Sequence, residues 1–164
     1  MRIAIAGMML AGMVSVAVAQ ETNVTVTENG APVFTITAPA AGTKFLSASD
    51  KTTLVTTNMF LYIWSVPKAT TVAEALPRVD DVIKGEVLEF KIAKTNTITV
   101  AGAPAIHLMG SGKEADDGDP GTDDVVVFAI GKRAFIACVH GENNDASRER
   151  QPMLAALKTV KKSP

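Results

Sequence analysis

Cysteine, histidine and aromatic side chains are scarce in this chain. Cys138 is its single cysteine, so no internal disulfide forms and the fold must hold by packing. The same scarcity leaves no C-x-x-C pair. The two histidines, His107 and His140, stand at none of the short spacings that build a zinc site. Aromatics are too few for the ring-lined cleft of a glycosidase, and Tyr62 and Trp64 both fall in one apolar run. No G-x-S-x-G is present to place a nucleophilic serine. Basic charge shows no excess, 16 residues against 17 acidic ones, so no positive field favours nucleic acid. "GSGKE", residues 110–114, imitates a phosphate loop and fails. Its upstream glycine position holds His107, and Glu114 replaces the hydroxyl after the lysine.

A hydrophobic run is present at the N-terminus alone. Arg2 precedes apolar residues from Ile3 to Val16, and Ala17-Val18-Ala19 stands before Gln20. That is the pattern of a secretory signal peptide, expected to be cleaved after residue 19. Residues 20–164 then form a single domain of 164 − 19 = 145 residues with 15 basic and 17 acidic side chains. A chain of that size buries about two-thirds of its unfolded surface. No later segment is apolar enough to span a membrane. The protein is therefore expected to be exported, to the periplasm or the extracellular space.

Short strands come first. "TNVTVTEN" and "PVFTITAP" alternate apolar and polar residues across the Asn29-Gly30 turn signal. "KFLSA" with "TTLVTTN" reads as a second pair, and "MFLYIWSV" as a central strand covered on both faces. Val72, Leu76, Val79 and Ile83 then form one helical stripe, opened by the capping box Thr71-x-x-Glu74 and followed by Gly85. Pro77 should kink or restart that helix. Asp80-Asp81 lies on its polar, solvated side. "VLEFKIA", "NTITVAG", "APAIHLMG", "DVVVFAI" and "RAFIACVHG" read as further strands, the last two joined at Gly131-Lys132. A final helix is read over "DASRERQPMLAALKTVKKSP", capped by Asp145 or Ser147, with Pro152 implying a bend or a helix that starts near it. Its basic segments "SRER" and "KTVKKS" make a charged exterior, with an acidic lipid or acidic partner as the alternative. The predicted class is α+β, an antiparallel sheet packed against two helices.

This order resembles the PsbP-like α/β sandwich family, which includes photosystem II extrinsic subunits, Mog-type Ran-binding proteins and many exported bacterial proteins. The matching segments are "FTITAP" ending at Pro39, "MFLYIWSV" leading into a helix, "ITVAGAPAIHLMG", and the closing "RAFIACVHG" strand and "LAALKTVKKS" helix. The resemblance implies a scaffold for binding and accessory roles rather than a shared catalytic site.

The most polarised stretch is "KEADDGDPGTDD", residues 113–124, with six carboxylates against Lys113. Asp116, Asp117, Asp119, Asp123 and Asp124 are candidate ligands for a divalent cation. An EF-hand starting at Asp117 fails, because its fifth position is Gly121 and its twelfth is Phe128. The expectation is a long solvated hairpin loop, with weak cation binding or partner docking as alternatives. Cys138 and His140 share a strand face, yet the thiol falls in an apolar run where a buried neutral cysteine is the commoner state. The function expected is a non-enzymatic binding or accessory domain of the cell envelope, with an unknown protein or envelope component as partner. No cofactor or catalytic residue is expected. A metal- or ligand-binding module using residues 113–124 is the alternative.

Overall fold

Alternation of threonine with buried valine and isoleucine builds the first hairpin. The computed structural model describes residues 22–28, 31–38, 43–48, 50–56, 58–142 and 147–163. The signal segment, the Asn29-Gly30 turn, Pro39 and Asp145 lie outside the described residues. Strand β1 (Asn23–Glu28) pairs antiparallel with β2 (Ala31–Thr37), from Asn23 opposite Thr37 to Glu28 opposite Ala31. Val24, Val26, Phe34 and Ile36 turn inward.

A second sheet has seven antiparallel strands in the order β3-β4-β5-β9-β8-β7-β6. They are β3 (Lys44–Ser47), β4 (Lys51–Val55), β5 (Phe60–Ser65), β6 (Val87–Val100), β7 (Ala103–Glu114), β8 (Pro120–Ile130) and β9 (Arg133–Glu142). The apolar run of β5 lies inside this sheet and is buried on both faces. "VLEFKIA" and "NTITVAG" form one strand rather than two. β6 is continuous, its register slipping between Leu88 and Lys91 and between Ile92 and Lys94. Glu89, at φ 54, supplies a left-handed residue in the first slip. Two-residue turns at Ala101-Gly102 and Gly131-Lys132 close the β6–β7 and β8–β9 hairpins, with both glycines at positive φ.

Between β5 and β6 runs the helical stripe, divided as Pro77 requires. Helix α1 (Val72–Ala75) passes through a 3-10 turn at Leu76–Arg78 into α2 (Val79–Ile83). The capping box is formed. The Thr71 hydroxyl accepts from the Glu74 N–H at 3.2 Å, and the Glu74 carboxylate accepts from the Thr71 N–H at 3.3 Å.

Helix α3 (Ser147–Lys158) contains Pro152 and stops sooner than the sequence suggests. Thr159 Oγ1 donates to the Ala156 carbonyl at 2.6 Å and accepts from the Thr37 N–H at 2.8 Å. The chain therefore leaves the helix, buries Val160, and pairs Lys161 and Lys162 as β10 (Lys161–Lys162) with Thr35 and Phe34 of β2. "KK" is strand, not helix, because β2 offers backbone groups for pairing beside the helix end.

Two cores result. On one face of the large sheet, Phe34, Phe128 and Phe135 meet at centroid distances of 5.2–6.0 Å, joined by Met153, Leu157 and Val160. The small sheet and α3 cover that face. On the other, Trp64, Val125, Val127 and Ile136 pack beneath Ala75, Val79 and Ile83. The fold is α+β, with antiparallel sheets packed against helices.

Candidate functional site

The acidic stretch is mostly strand. β7 runs to Glu114 and β8 begins at Pro120, which leaves residues 115–119 as the connection. The expected long loop over 113–124 is corrected accordingly. The turn closes through Glu114 N–H to the Asp119 carbonyl at 2.8 Å and Gly118 N–H to the Glu114 carbonyl at 3.0 Å. Gly118 takes φ 80, and Asp117 Oδ1 accepts from the Asp119 N–H at 2.9 Å. Asp116, Asp117 and Asp119 stand at this turn. Asp123 and Asp124 stand inside β8 and are buried.

Side chains of neighbouring strand residues point to opposite faces. Asp123 shares its face with Val125 and Val127 under the α1–α2 segment. Asp124 shares the other with Val126 and Phe128 under α3. An unpaired buried carboxylate is expensive, and each finds a histidine. Asp123 lies directly opposite His140 on β9, and its Oδ1 is 2.6 Å from His140 Nδ1. Asp124 Oδ1 is 2.6 Å from Nε2 of His107 on β7. The two histidines are thus on opposite sides of the sheet and cannot share a metal ion.

Asp124 has a second partner that the sequence disguised. Arg150, in the "SRER" segment read as helix exterior, donates from Nη1 to Asp124 Oδ2. Its Nη2 donates to the Thr122 carbonyl at 2.5 Å and to Thr122 Oγ1 at 2.8 Å. Beside it, Glu149 accepts from the Thr56 hydroxyl and, at 3.2 Å, from the Asn58 N–H. The first turns of α3 are fastened to the sheet by these two residues.

Burial alone would raise the Asp124 pKa, but hydrogen bonds from His107 and Arg150 outweigh it and hold the carboxyl below its usual range. Burial also opposes charge on His140. The hydrogen bond to Asp123 and the fields of Asp123 and Glu114 overcome it, so the imidazole pKa is raised. Asp123 Oδ2 is buried with no hydrogen-bond partner among the described residues. A Cβ at Gly112 would stand 3.1 Å from it, so the glycine admits the carboxylate. Gly121 does the same for the ring, since a Cβ there would meet His140 Cε1 at 2.8 Å.

Cys138 lies on the His140 face and is wholly buried. Desolvation, then Asp123 and Asp124, push its thiol well above the ordinary cysteine range. Tyr62, across from Cys138 on β5, is likewise pushed up by burial and by Glu86, which pairs with Lys51. Thiol and phenol are both held neutral, so neither supplies the activated nucleophile that a histidine–carboxylate pair would serve. The arrangement ties β8 to β7, β9 and α3. Among the described residues, no group of three or more His, Cys, Asp and Glu side chains is arranged to hold a metal ion.

No family model matches the sequence, and no curated protein matches it either. Solved structures do match in shape. The Saccharomyces cerevisiae Ran-binding protein Mog1p is 10% identical with a TM-score of 0.57, over 87% of this chain and 95% of that one. A Pseudomonas aeruginosa protein of unknown function is 13% identical with a TM-score of 0.52, over 87% and 98%. A Bacteroides thetaiotaomicron protein is 8% identical with a TM-score of 0.54, over 80% of this chain and 45% of that one. At these identities the likeness is one of fold, an α/β sandwich.

Proposed function

We propose that this chain is a PsbP-like α/β sandwich, exported after cleavage at Ala19, that acts as a non-enzymatic binding domain of the cell envelope. Its partner is a protein or another envelope component. One observation carries the proposal. Three side chains with acid–base capacity, Asp123, Asp124 and His140, are buried and spent on holding strands and α3 together. The strand and helix order supports the family, and the fold neighbour Mog1p is a Ran-binding protein, an example of this scaffold in a binding role. The run from Ile3 to Val16 ending in Ala17-Val18-Ala19 supports export.

The test has two parts. Mass spectrometry of the protein from fractionated cells should find Gln20 as its first residue, in the envelope fraction or the medium. A cytoplasmic chain that retains Met1 would sink the export half. Asp123→Asn and His140→Gln variants should fold less stably yet keep partner capture from envelope extract. A hydrolytic or transfer activity lost in these variants, with the fold intact by circular dichroism, would replace the binding domain with an enzyme.

A further inference from the structure

At the end of the molecule where the β8–β9 turn meets β10, cationic side chains surround a cleft that no part of the structural framework uses. Its volume is about 410 Å³, and Pro32, Val33, Ile130, Lys132, Arg133, Lys162 and Ser163 are among its lining residues. The strand pairing explains the convergence. Lys162 pairs with inward-facing Phe34, so its side chain starts toward the large sheet and escapes past the turn. A Cβ on Gly131, which has φ +62, would stand 3.9 Å from both Lys162 Cε and Nζ. The ammonium group therefore lies beside the turn that carries Lys132.

Charge and hydrogen bonding in the cleft are incomplete. Arg133 is neutralised by Glu28 at 2.7 Å, and the same carboxylate accepts from the Ser65 hydroxyl at 2.6 Å. Among the described residues, neither Lys132 nor Lys162 forms an ion pair. Ser163 is 8% exposed, its N–H donates to the Val33 carbonyl at 3.0 Å, and its hydroxyl is buried without a partner among the described residues. A buried hydroxyl left unpaired is costly, and two ammonium groups with no ion-pair partner among the described residues attract an anion.

We propose that this cleft binds a phosphate group. A phosphate monoester carries about −1.5 to −2 charges at neutral pH, which matches Lys132 and Lys162 once Glu28 has balanced Arg133. Its oxygens accept from both ammonium groups and, once the serine side chain turns toward the cleft, from the Ser163 hydroxyl, while the apolar walls of Pro32, Val33 and Ile130 lie beside whatever carries the phosphate. A free phosphorylated small molecule and a lipid whose headgroup is a phosphate monoester, such as phosphatidic acid, present the same chemistry. The experiment separates them.

Thermal unfolding of the purified protein is followed against inorganic phosphate and against glycerol 3-phosphate, with chloride at matched ionic strength as the control. Phosphate should raise the melting temperature with the logarithmic concentration dependence of binding to the folded state. Lys132→Gln and Lys162→Gln should each weaken binding by about tenfold, the loss of one charge-assisted hydrogen bond. Ser163→Ala should weaken it while leaving the melting temperature without phosphate unchanged or raised. Flotation with vesicles of phosphatidic acid and phosphatidylcholine, abolished in the double lysine variant, assigns the headgroup as the source. A phosphate response without flotation assigns a free phosphate. No response to either probe overturns the site, as does a wild-type response in the double variant.

Discussion

Asp123 and Asp124 are neighbours in the chain, yet their carboxylates emerge on opposite faces of the seven-stranded sheet, each 2.6 Å from a histidine. Adjacent residues in an extended strand have no other choice. What turns this into a structural device is the placement of His107 one strand away on one side and His140 one strand away on the other, with Arg150 descending from α3. Two local ties thus hold three strands and a helix.

Removal of the α3 tie should be costly. Asp124→Ala leaves Arg150 and His107 facing a buried gap and should destabilise the protein by about 3–5 kcal/mol in urea unfolding. Arg150→Ala should cost less, since His107 still engages the carboxylate. The double variant should be less destabilised than the sum of the two, by roughly 0.5–3 kcal/mol. Strict additivity would show that the two side chains are not coupled.

The pair on the other face should make stability depend on pH. The folded-state pKa of His140 lies above its ordinary 6.5, so its contribution is complete below that value and lost as pH rises through the folded one. The stability gap between wild type and His140→Gln should therefore narrow as pH increases from near neutral into the alkaline range. Asp124 acts at the other end. Its folded pKa lies below 3.8, so its contribution is complete above that value and is lost as pH falls from there through the folded one. A His140 gap that widened with alkalinity would refute the assignment.

Gly110 should tolerate no side chain. A Cβ there would lie 2.3 Å from the Lys91 carbonyl oxygen and 2.8 Å from the Phe90 ring. Gly110→Ala should cost about 1–3 kcal/mol or more by overpacking. Hydrogen exchange should quicken in β6 and β7 first. Unchanged protection there would mean that β6 is not held at this distance.

Cys138 should be inert in the native protein. Its burial and raised pKa predict no labelling by Ellman's reagent until denaturant opens the sheet, and a labelling rate that tracks unfolding. Rapid labelling in buffer would show that β9 is accessible.

Much of the local architecture is legible in the sequence. Thr71 and Glu74 announce a helix start because both partners of the capping box lie within one turn. Pro77 announces an interruption because its ring forbids a regular helix. The burial of Asp123 and Asp124 is not legible, because acidic residues are rarely buried and their place at the start of "DVVVFAI" resembles the end of a solvated loop. Extending the period of two backward through Thr122 would have put the two carboxylates on opposite faces. Even so, nothing nearby in sequence points to Arg150, 26 residues further on. The early end of α3 was hidden for the same reason, since the Thr159 hydroxyl stops the helix in concert with Thr37, 122 residues away.

Sequence by itself determined the strand periods, the capped and broken helix, the two-residue turn at Gly131 and the α+β class, because each rests on interactions between residues a few positions apart. Tertiary structure alone decided that the acidic stretch is two strands around a short turn, that its last two aspartates are internal ties, and that Lys162 faces the Gly131 turn. Those outcomes depend on which strands lie side by side. Strand order is set by the burial of whole faces, a sum over the molecule that no local segment contains.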